Sequence, residues 1–258
     1  MKPVSASFFL PRLALAICLF GLAACGNDTS SVDDPVGAEP PRIAPTDFVI
    51  APCNGPASDA FCAIVAAGGK RVIIGAPSGI RDGRIAGEMT LPDAVLLPSL
   101  HPSNVEGLDE LRNHTWTAGR RSPLKVIGPL GTSEFADSLN TAYTFPDAMV
   151  FLDTPNDDRD FAAMPIAGRD VGPGDAAFDT GDLVITSQHA GNGRIAFIAK
   201  YDNRAALILP CQADPQSVDI PDDSGLTIMA CSGVDYGVAA DIVWPTKELI
   251  YLNGLAAQ

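Results

Sequence analysis

The sequence predicts a mixed α/β fold, because two stretches rich in predicted strands each include segments of helical character. In the first stretch, Ala67-Gly68-Gly69-Lys70 is typical of a tight hairpin, since glycine accepts the positive φ that a primed turn requires. In the second, short apolar runs recur between residues 183 and 230. With 258 residues and 47% hydrophobic composition, the chain is long enough to form one domain with a sizeable core.

The first 24 residues are predicted to be an export signal. A basic start precedes an apolar run from Leu13 to Ala24, which is shorter than the ~20 residues that span a bilayer. The run ends in Leu22-Ala23-Ala24-Cys25, which resembles a bacterial lipobox, in which the cysteine is lipidated after cleavage. We therefore predict a lipid anchor on Cys25. The alternative is a plain secretory signal that contains a cysteine.

Residues 25–45 are predicted to form the lipidated cysteine and a flexible tether, followed by a domain at 46–258. The tether is rich in Pro, Asp and Ser and has too few large apolar side chains to form a core. Gly26 follows the cysteine, so the aspartate that commonly retains such lipoproteins at an inner membrane is absent. The pattern favours the bacterial cell envelope, at the periplasmic face of an outer membrane, with the lipid on Cys25 as the membrane contact.

The acidic balance argues against a nucleic-acid partner. The formal net charge is −14, and such a surface repels phosphate backbones. The pair Arg120-Arg121 is too short a basic run to reverse this effect. The expected partner beyond the membrane is a protein or small-molecule ligand that the sequence does not identify.

Four cysteines remain when Cys18 in the signal and Cys25 are set aside. An even number of cysteines in an oxidising compartment predicts disulfides. The chain has no Cys-x-x-Cys and no zinc-ribbon spacing, which argues against a structural zinc site. The four disulfide candidates are Cys53, Cys62, Cys211 and Cys231.

Three helices are predicted between and after the strands. The first covers 105–119 and ends at a glycine, and the second covers 134–143 with Ser133 as its cap. The third covers 234–243 and stops at Pro245.

The stretch from Ala94 to Thr132 carries a family resemblance. A short apolar strand ends in Ser99-Leu100-His101-Pro102-Ser103-Asn104, and a second strand leads into Gly128-Pro129-Leu130-Gly131-Thr132. This resembles the metallo-β-lactamase fold superfamily, in its ribonuclease Z and arylsulfatase-like branch. There, the first strand ends in His-x-His-x-Asp-His and a Gly-Pro-x-Gly-Thr turn follows the second. The resemblance implies a four-layer αββα sandwich over nearly all of residues 46–258.

The resemblance also implies that the chain is a degenerate member, in which most metal ligands are replaced. Ser99 stands where the family has its first histidine, and His101 keeps the second. Ser103 replaces the aspartate, and Asn104 replaces the last histidine of this motif. Neutral hydroxyl and amide groups bind divalent metals poorly without a neighbouring carboxylate.

The later ligand positions are changed in the same way. His189 is kept at the end of its strand, whereas Cys211 takes the place of the aspartate that bridges two metals. Cys231 stands at the end of the neighbouring strand, where the family has His-Glu-Ala, and Asn253 replaces the final histidine. These four residues complete the predicted degenerate pocket.

Two interpretations of Cys211 remain open at this point. As a thiolate it can join His101 and His189 in a single zinc site. As residues at the ends of adjacent strands, Cys211 and Cys231 fit a disulfide across the former site, and Cys53 would then pair with Cys62. Because oxidised cysteines do not ligate zinc, we expect two disulfides and no cofactor.

The predicted function is that of a lipid-anchored, extracytoplasmic pseudo-hydrolase that acts as a binding or scaffolding module. We predict no catalytic residue, because no carboxylate is identified to orient a base for a Ser99 or Ser103 nucleophile. The alternative is a metal-dependent hydrolase of ester or phosphodiester bonds with a reduced, mononuclear zinc site.

Overall fold

The computed structural model describes residues 43–53, 60–80, 91–153, 158–221, 225–246 and 248–254. The predicted signal, Cys25 and residues 26–42 of the predicted tether lie outside these ranges. The strands in chain order are β1 (Val49–Pro52), β2 (Ala63–Ala67), β3 (Lys70–Ile74), β4 (Ala94–Leu96), β5 (Leu124–Gly128), β6 (Ile166–Asp170), β7 (Ala176–Asp179), β8 (Val184–His189), β9 (Ile195–Tyr201), β10 (Arg204–Ile208), β11 (Leu226–Cys231), β12 (Ile242–Trp244) and β13 (Ile250–Tyr251).

The described strands form two mixed sheets. The first has the order β13-β1-β2-β3-β4-β5-β6, in which β3 to β6 run parallel and the remaining pairs are antiparallel. The second has the order β12-β11-β10-β9-β8-β7, in which β10 to β12 are parallel. Apolar side chains from both sheets, such as Ile74, Leu96, Phe197 and Ile208, pack into one core between them.

Helices cover the outer face of the first sheet. They are α1 (Pro102–Val105), α2 (Leu108–Thr117) and α3 (Thr132–Asp153). Leu108 and Leu111 of α2 and Ala136 of α3 pack with the outward side chains of this sheet. Among the described residues, no helix combines the length and the apolar character needed to cross a membrane.

Helix α3 differs from its prediction at both ends. It runs well beyond residue 143, and Ser133 lies inside its first turn. The capping side chain is Asp170, at the end of β6, whose carboxylate accepts from the backbone amides of Gly131 at 3.2 Å and Ser133 at 2.8 Å. A carboxylate is favourable there because the helix N-terminus carries a partial positive charge.

The predicted helix at 234–243 is wrong. Residues 232–241 form an irregular loop with a turn at 232–233, and the next residues pair as β12 with β11. Gly233 and Gly237 have φ values of +78° and +73°, which interrupt a right-handed helix. Tyr236 and Ala213, both on loop segments, cover the outer face of the second sheet together with neighbouring apolar side chains.

The predicted α/β class is confirmed, and the two sheets pack on each other as in the sandwich that the resemblance implies. One layer is built differently. In the described ranges, loops rather than a helix cover the outer face of the second sheet.

Candidate functional site

The candidate site lies at the end of the sandwich where strands of the first sheet reach their C-termini, which we call the site edge. The parallel strands β3, β4 and β5 all end at this edge of the first sheet. The second sheet contacts this edge through two hydrogen bonds. In the first, Ile195 N, at the start of β9, donates to Pro98 O at 2.9 Å. Gln212 Nε2, after the end of β10, donates to Ser103 Oγ at 3.1 Å. Loops from both sheets therefore converge where the resemblance places the metal centre.

The turn after β4 is closed by its own polar side chains. Ser99 and Asn104 are buried, and Asn104 Nδ2 donates to Ser99 Oγ at 2.8 Å. The same hydroxyl accepts the backbone amide of His101 at 3.2 Å. Asn104 Oδ1 is buried and has no hydrogen-bond partner among the described residues. At these two ligand positions, the replacements therefore hold the shape of the turn.

His101 acts as the N-cap of α1. Its Nδ1 accepts the backbone amide of Ser103 at 3.3 Å and lies 2.9 Å from Ser103 Oγ. Because Nδ1 accepts the amide proton, the proton of the neutral ring is assigned to Nε2. The ring is exposed, and the nitrogen nearest the turn is used for capping.

Both predicted disulfides are confirmed. Cys211 follows β10 and Cys231 ends β11, and these parallel neighbours bring the two Cα atoms to 5.0 Å. Cys53 and Cys62 form the second bridge, with Cα atoms 5.2 Å apart, where β1 and β2 pair. The cysteine that takes the place of the bridging aspartate is thus held in a covalent bond.

His189 ends β8 and is exposed, opposite Ile195 of β9. It lies near Asp214 in the loop after β10. The hydroxyl of Ser217 and then the backbone amide of Gln216 lower the pKa of Asp214, and the positive potential of His189 and Arg194 adds to this effect. His189 therefore lies beside a hydrogen-bonded carboxylate, in a loop next to the Cys211 turn.

Asn253 is not brought to this edge. Its Oδ1 accepts from Phe48 N at 2.5 Å, and its Nδ2 donates to Thr46 O at 2.9 Å. Both partners precede β1, and β1 runs parallel to β3 through two successive antiparallel pairings. The start of β1 is consequently at the opposite edge of the sheet, where Asn253 fixes the two ends of the described domain together.

A groove of about 320 Å³ borders the turn after β4. Three loops line it: Ser99–His101, Pro129–Leu130 and Asn192–Arg194. Glycine is required at position 128, directly before the second loop, since a Cβ there would lie 2.6 Å from Thr132 Oγ1 and 2.9 Å from Leu97 Cβ. The Gly-Pro turn noted in the sequence therefore shapes one wall of the groove.

The residues present do not fit the metal centre that the resemblance implies. Within the described ranges, no three His, Cys, Asp or Glu side chains lie together as a metal ion requires. His101 Nδ1 is engaged as a cap, and Cys211 is oxidised. We derive no chemical step through zinc at this site.

Sequence reasoning missed Gln212 and Arg194. Gln212 joins the two sheets by its bond to Ser103 and a longer contact of 3.5 Å with Asn104 Nδ2. No motif marks a glutamine after a cysteine. Arg194 lines the groove from the turn before β9, and its only sequence signal was the glycine-rich turn that precedes it.

Comparisons with known proteins give structural likeness without sequence matches. No protein-family model matches the chain, and no curated protein does. Among solved structures, the chain is similar to the short form of human tRNase Z, with 11% identity, coverage of 74% of this chain and 80% of that one, and a TM-score of 0.49.

Two further structures are also similar. The metallo-β-lactamase fold protein YhfI from Bacillus subtilis has 14% identity, coverage of 62% and 61%, and a TM-score of 0.44. A diphosphatase from the PhnP family has 14% identity, coverage of 57% and 50%, and a TM-score of 0.35, so the chain spans half of that protein. The strand order and packing described above form a two-sheet α/β sandwich, which is the architecture that the sequence resemblance implies.

Proposed function

We propose that this chain is a lipid-anchored, extracytoplasmic protein in which the metallo-β-lactamase fold serves as a metal-free binding or scaffolding module. The observation that carries the proposal is the Cys211–Cys231 disulfide at the edge where metal ligands would converge. A disulfide sulfur is not a thiolate, and only the thiolate is a strong zinc ligand. The bridge also fixes the loop that carries Gln212.

The hydroxyls of Ser99 and Ser103 and the Nδ1 atom of His101 are engaged within the turn or with Gln212 rather than left free for a metal or a nucleophile. Ser103 Oγ lies 2.9 Å from His101 Nδ1, but it also accepts a hydrogen bond from Gln212 Nε2. Among the described residues, no carboxylate hydrogen-bonds to the His101 ring to orient it as a base. Serine catalysis depends on such an orienting group.

The groove beside the turn is the proposed binding surface. It combines the exposed His101 ring and the Arg194 side chain with the apolar Leu130, which is 87% exposed. A few polar groups beside an apolar contact are typical of ligand sites. The ligand is proposed to be a protein segment or a small molecule.

The proposed location rests on Cys25 and on the disulfides. Both bridges fit an oxidising compartment, and the lipobox-like sequence before Cys25 supplies the anchor. The alternative, a mononuclear zinc hydrolase, needs a free Cys211 thiolate, and the disulfide opposes it.

The site proposal is tested by hydrolysis assays on the oxidised chain. Chromogenic carboxylic esters and phosphodiesters are incubated with the wild type and with His101→Ala, each with and without added zinc. We expect no turnover above that of the substrate alone. Zinc-dependent turnover that is lost in His101→Ala would overturn the proposal.

The anchor is tested separately. Cells that express the chain are labelled with a fatty acid, and the Cys25→Ser variant provides the control. We expect label in the wild type only, together with recovery of the wild type in the membrane fraction. An unlabelled wild-type chain that is released as a soluble protein would contradict the anchor.

A further inference from the structure

The second half of α3 exposes large apolar side chains. Phe145, Met149 and Leu152 are 75%, 43% and 66% exposed, and their i, i+4, i+7 spacing places them on one face of the helix. We refer to these three residues as the α3 stripe. Phe151 beside it is 55% exposed. Soluble domains seldom expose contiguous apolar patches of this kind without a binding role.

Contacts on the opposite side fix the orientation of this half of the helix. The guanidinium of Arg112, 1% exposed, pairs with Asp147 and lies 4.7 Å from the ring centroid of Tyr143. Tyr143 Oη donates to Asp109 at 2.7 Å. The ring of Phe151 meets that of Phe161 edge-on at 5.1 Å. The α3 stripe is therefore held outward by an ordered inner face.

The position of the stripe follows from the course of α3. The helix starts beside the site edge, and Asn140 bonds to the backbone of Ile166 at the start of β6, which is the opposite edge. Another 13 residues follow to Asp153, which is about 20 Å of helix at 1.5 Å per residue. The stripe consequently lies on the half of α3 that packs against α2 and Phe161, away from the start of the helix beside the groove.

The charges of α3 distinguish between three candidate partners: a second copy of the chain, an anionic surface and a zwitterionic lipid surface. Its charged side chains are all acidic, Glu134, Asp137, Asp147 and Asp153, and it contains no Lys or Arg. A second copy docked stripe to stripe would bring together two Asp153 side chains, which directly follow Leu152, and two chains whose formal net charge is −14 each. An anionic surface is disfavoured for the same reason. A zwitterionic lipid surface offers apolar depth without a net repulsive charge.

The chain before the described domain is long enough for a lipid anchor at Cys25 to hold the domain beside such a surface. Ile43 packs with the apolar cluster that also contains Phe135 and Leu139 of α3, so the described domain starts on the helix-covered face of the first sheet. The 18 residues from Cys25 to Ile43 extend at most about 65 Å at 3.3–3.6 Å per residue. This step rests on the proposed lipid anchor at Cys25.

We infer that the α3 stripe is a lipid-contact surface, which inserts into the boundary between headgroups and acyl chains of a zwitterionic bilayer. The anchor keeps the stripe at a high local concentration near the bilayer, so weak insertion is sufficient. Because the stripe starts 13 residues after the first residue of α3, whereas the groove borders the turn before that helix, insertion of the stripe leaves the groove outside the membrane. The domain then presents its binding surface to partners in the surrounding aqueous space.

The inference is tested by fluorescence quenching on the lipidated chain in phosphatidylcholine vesicles that contain brominated acyl chains. Phe145→Trp places a reporter on the stripe, and the native Trp116 and Trp244 are only 3% and 1% exposed. Val243→Trp, at a site 52% exposed on β12, is the matched control. We expect a blue-shifted emission that is quenched in Phe145→Trp and not in Val243→Trp. Equal quenching of the two variants would overturn the inference.

A second measurement separates this surface from the anchor. The mature chain with Cys25→Ser, exported behind a cleavable signal, is floated with phosphatidylcholine vesicles, with and without Met149→Ser and Leu152→Ser. We expect the double substitution to reduce binding by about tenfold, and Val238→Ser with Val243→Ser to leave it unchanged. Binding by this unlipidated chain supports the surface even if Cys25 is not lipidated. Absence of binding, together with an unquenched lipidated chain, rejects the surface and leaves the anchor standing.

Sedimentation of the same variants tests the competing occupant. We expect the chain with Cys25→Ser to be monomeric with or without the stripe substitutions. A dimer that the substitutions convert to a monomer would assign the stripe to a second copy and overturn the lipid-contact inference.

Discussion

Gln212 Nε2 donates a hydrogen bond to Ser103 Oγ at 3.1 Å and so joins the loop after β10 to the turn after β4. In the metal hydrolases that the sequence resembles, two sets of ligands from these two regions share metal ions. Here a neutral amide and a hydroxyl bond directly to each other. The adjacent Cys211–Cys231 bridge fixes the same loop, so intramolecular contacts occupy the region where the resemblance places the metal centre.

The contact between Gln212 and Ser103 should contribute to the free energy of unfolding. We expect Gln212→Ala to lower the free energy of unfolding by about 1 kcal/mol, since it removes one hydrogen bond and a neighbour of the Asn104 amide. Denaturant unfolding of both single variants and of Gln212→Ala with Ser103→Ala gives the coupling energy. The exposed Gln216→Ala in the same loop is the control and should be neutral. Additive effects of the two substitutions would refute the coupling.

The two disulfides should stabilise the fold to different extents. Their cysteines are separated by 20 and 9 residues in the sequence, and closing the longer loop removes more entropy from the unfolded chain. On the chain-entropy relation, losing Cys211–Cys231 costs about 3 kcal/mol and losing Cys53–Cys62 about 2.5 kcal/mol. Thermal and denaturant unfolding of the two Cys→Ala double variants measures this. Unchanged stability in the Cys211→Ala, Cys231→Ala variant would show that the bridge is dispensable.

Arg120 should be far more important for stability than its neighbour in the sequence. Its buried guanidinium donates to the carbonyl oxygens of Ala163 and Met164, which precede β6. Desolvation and the nearby Arg112 lower the pKa of Arg120 to about 10, so the group stays charged at neutral pH. We expect Arg120→Met to cost about 3 kcal/mol because it leaves buried acceptors unpaired.

Two comparisons complete this test. Arg121→Met is the matched control, because Arg121 is exposed, and it should change the unfolding free energy by less than about 0.5 kcal/mol. Arg120→Lys should restore only part of the loss, since a single ammonium cannot reproduce the fork of donors. Equal costs for the two Met variants would contradict the assignment.

Asp214 predicts a weak acid-dependent step in stability. Its pKa is lowered from 3.8, first by the Ser217 hydroxyl and then by the amide of Gln216. A carboxyl group whose pKa is lower in the folded state stabilises the fold fully above about pH 4, and this contribution is lost as pH falls through the folded value. We therefore expect Asp214→Ala to destabilise the chain at pH 6 and to converge with the wild type at low pH. A stability difference that stays constant down to pH 2 would contradict this origin.

The elements that local chemistry determines were the most predictable from the sequence. The paired glycines Gly68 and Gly69 both adopt positive φ in the turn between β2 and β3, as the hairpin prediction requires. The Cys211–Cys231 bridge, by contrast, was predicted only through the family resemblance, which implies that both residues end adjacent strands, and the structure confirms that bridge.

Elements that depend on tertiary context were missed. Strands β6 and β7 were not predicted, because Ile166–Asp170 and Ala176–Asp179 have little apolar alternation, and their pairing with β5 and β8 defines them. The cap that Asp170 gives to α3 was hidden for the same reason. Asn253 follows a strand that runs antiparallel to β1, and only this direction reveals that it lies far from the groove.

Elemental analysis for zinc together with a free-thiol count determines whether this site is metal-free and closed by a disulfide. The protein is the mature chain, purified from an oxidising compartment without chelators. We expect only trace zinc, far below one zinc ion per chain, and no free thiol among Cys53, Cys62, Cys211 and Cys231. Near-stoichiometric zinc with a free Cys211 would contradict it and restore the mononuclear hydrolase as the better interpretation.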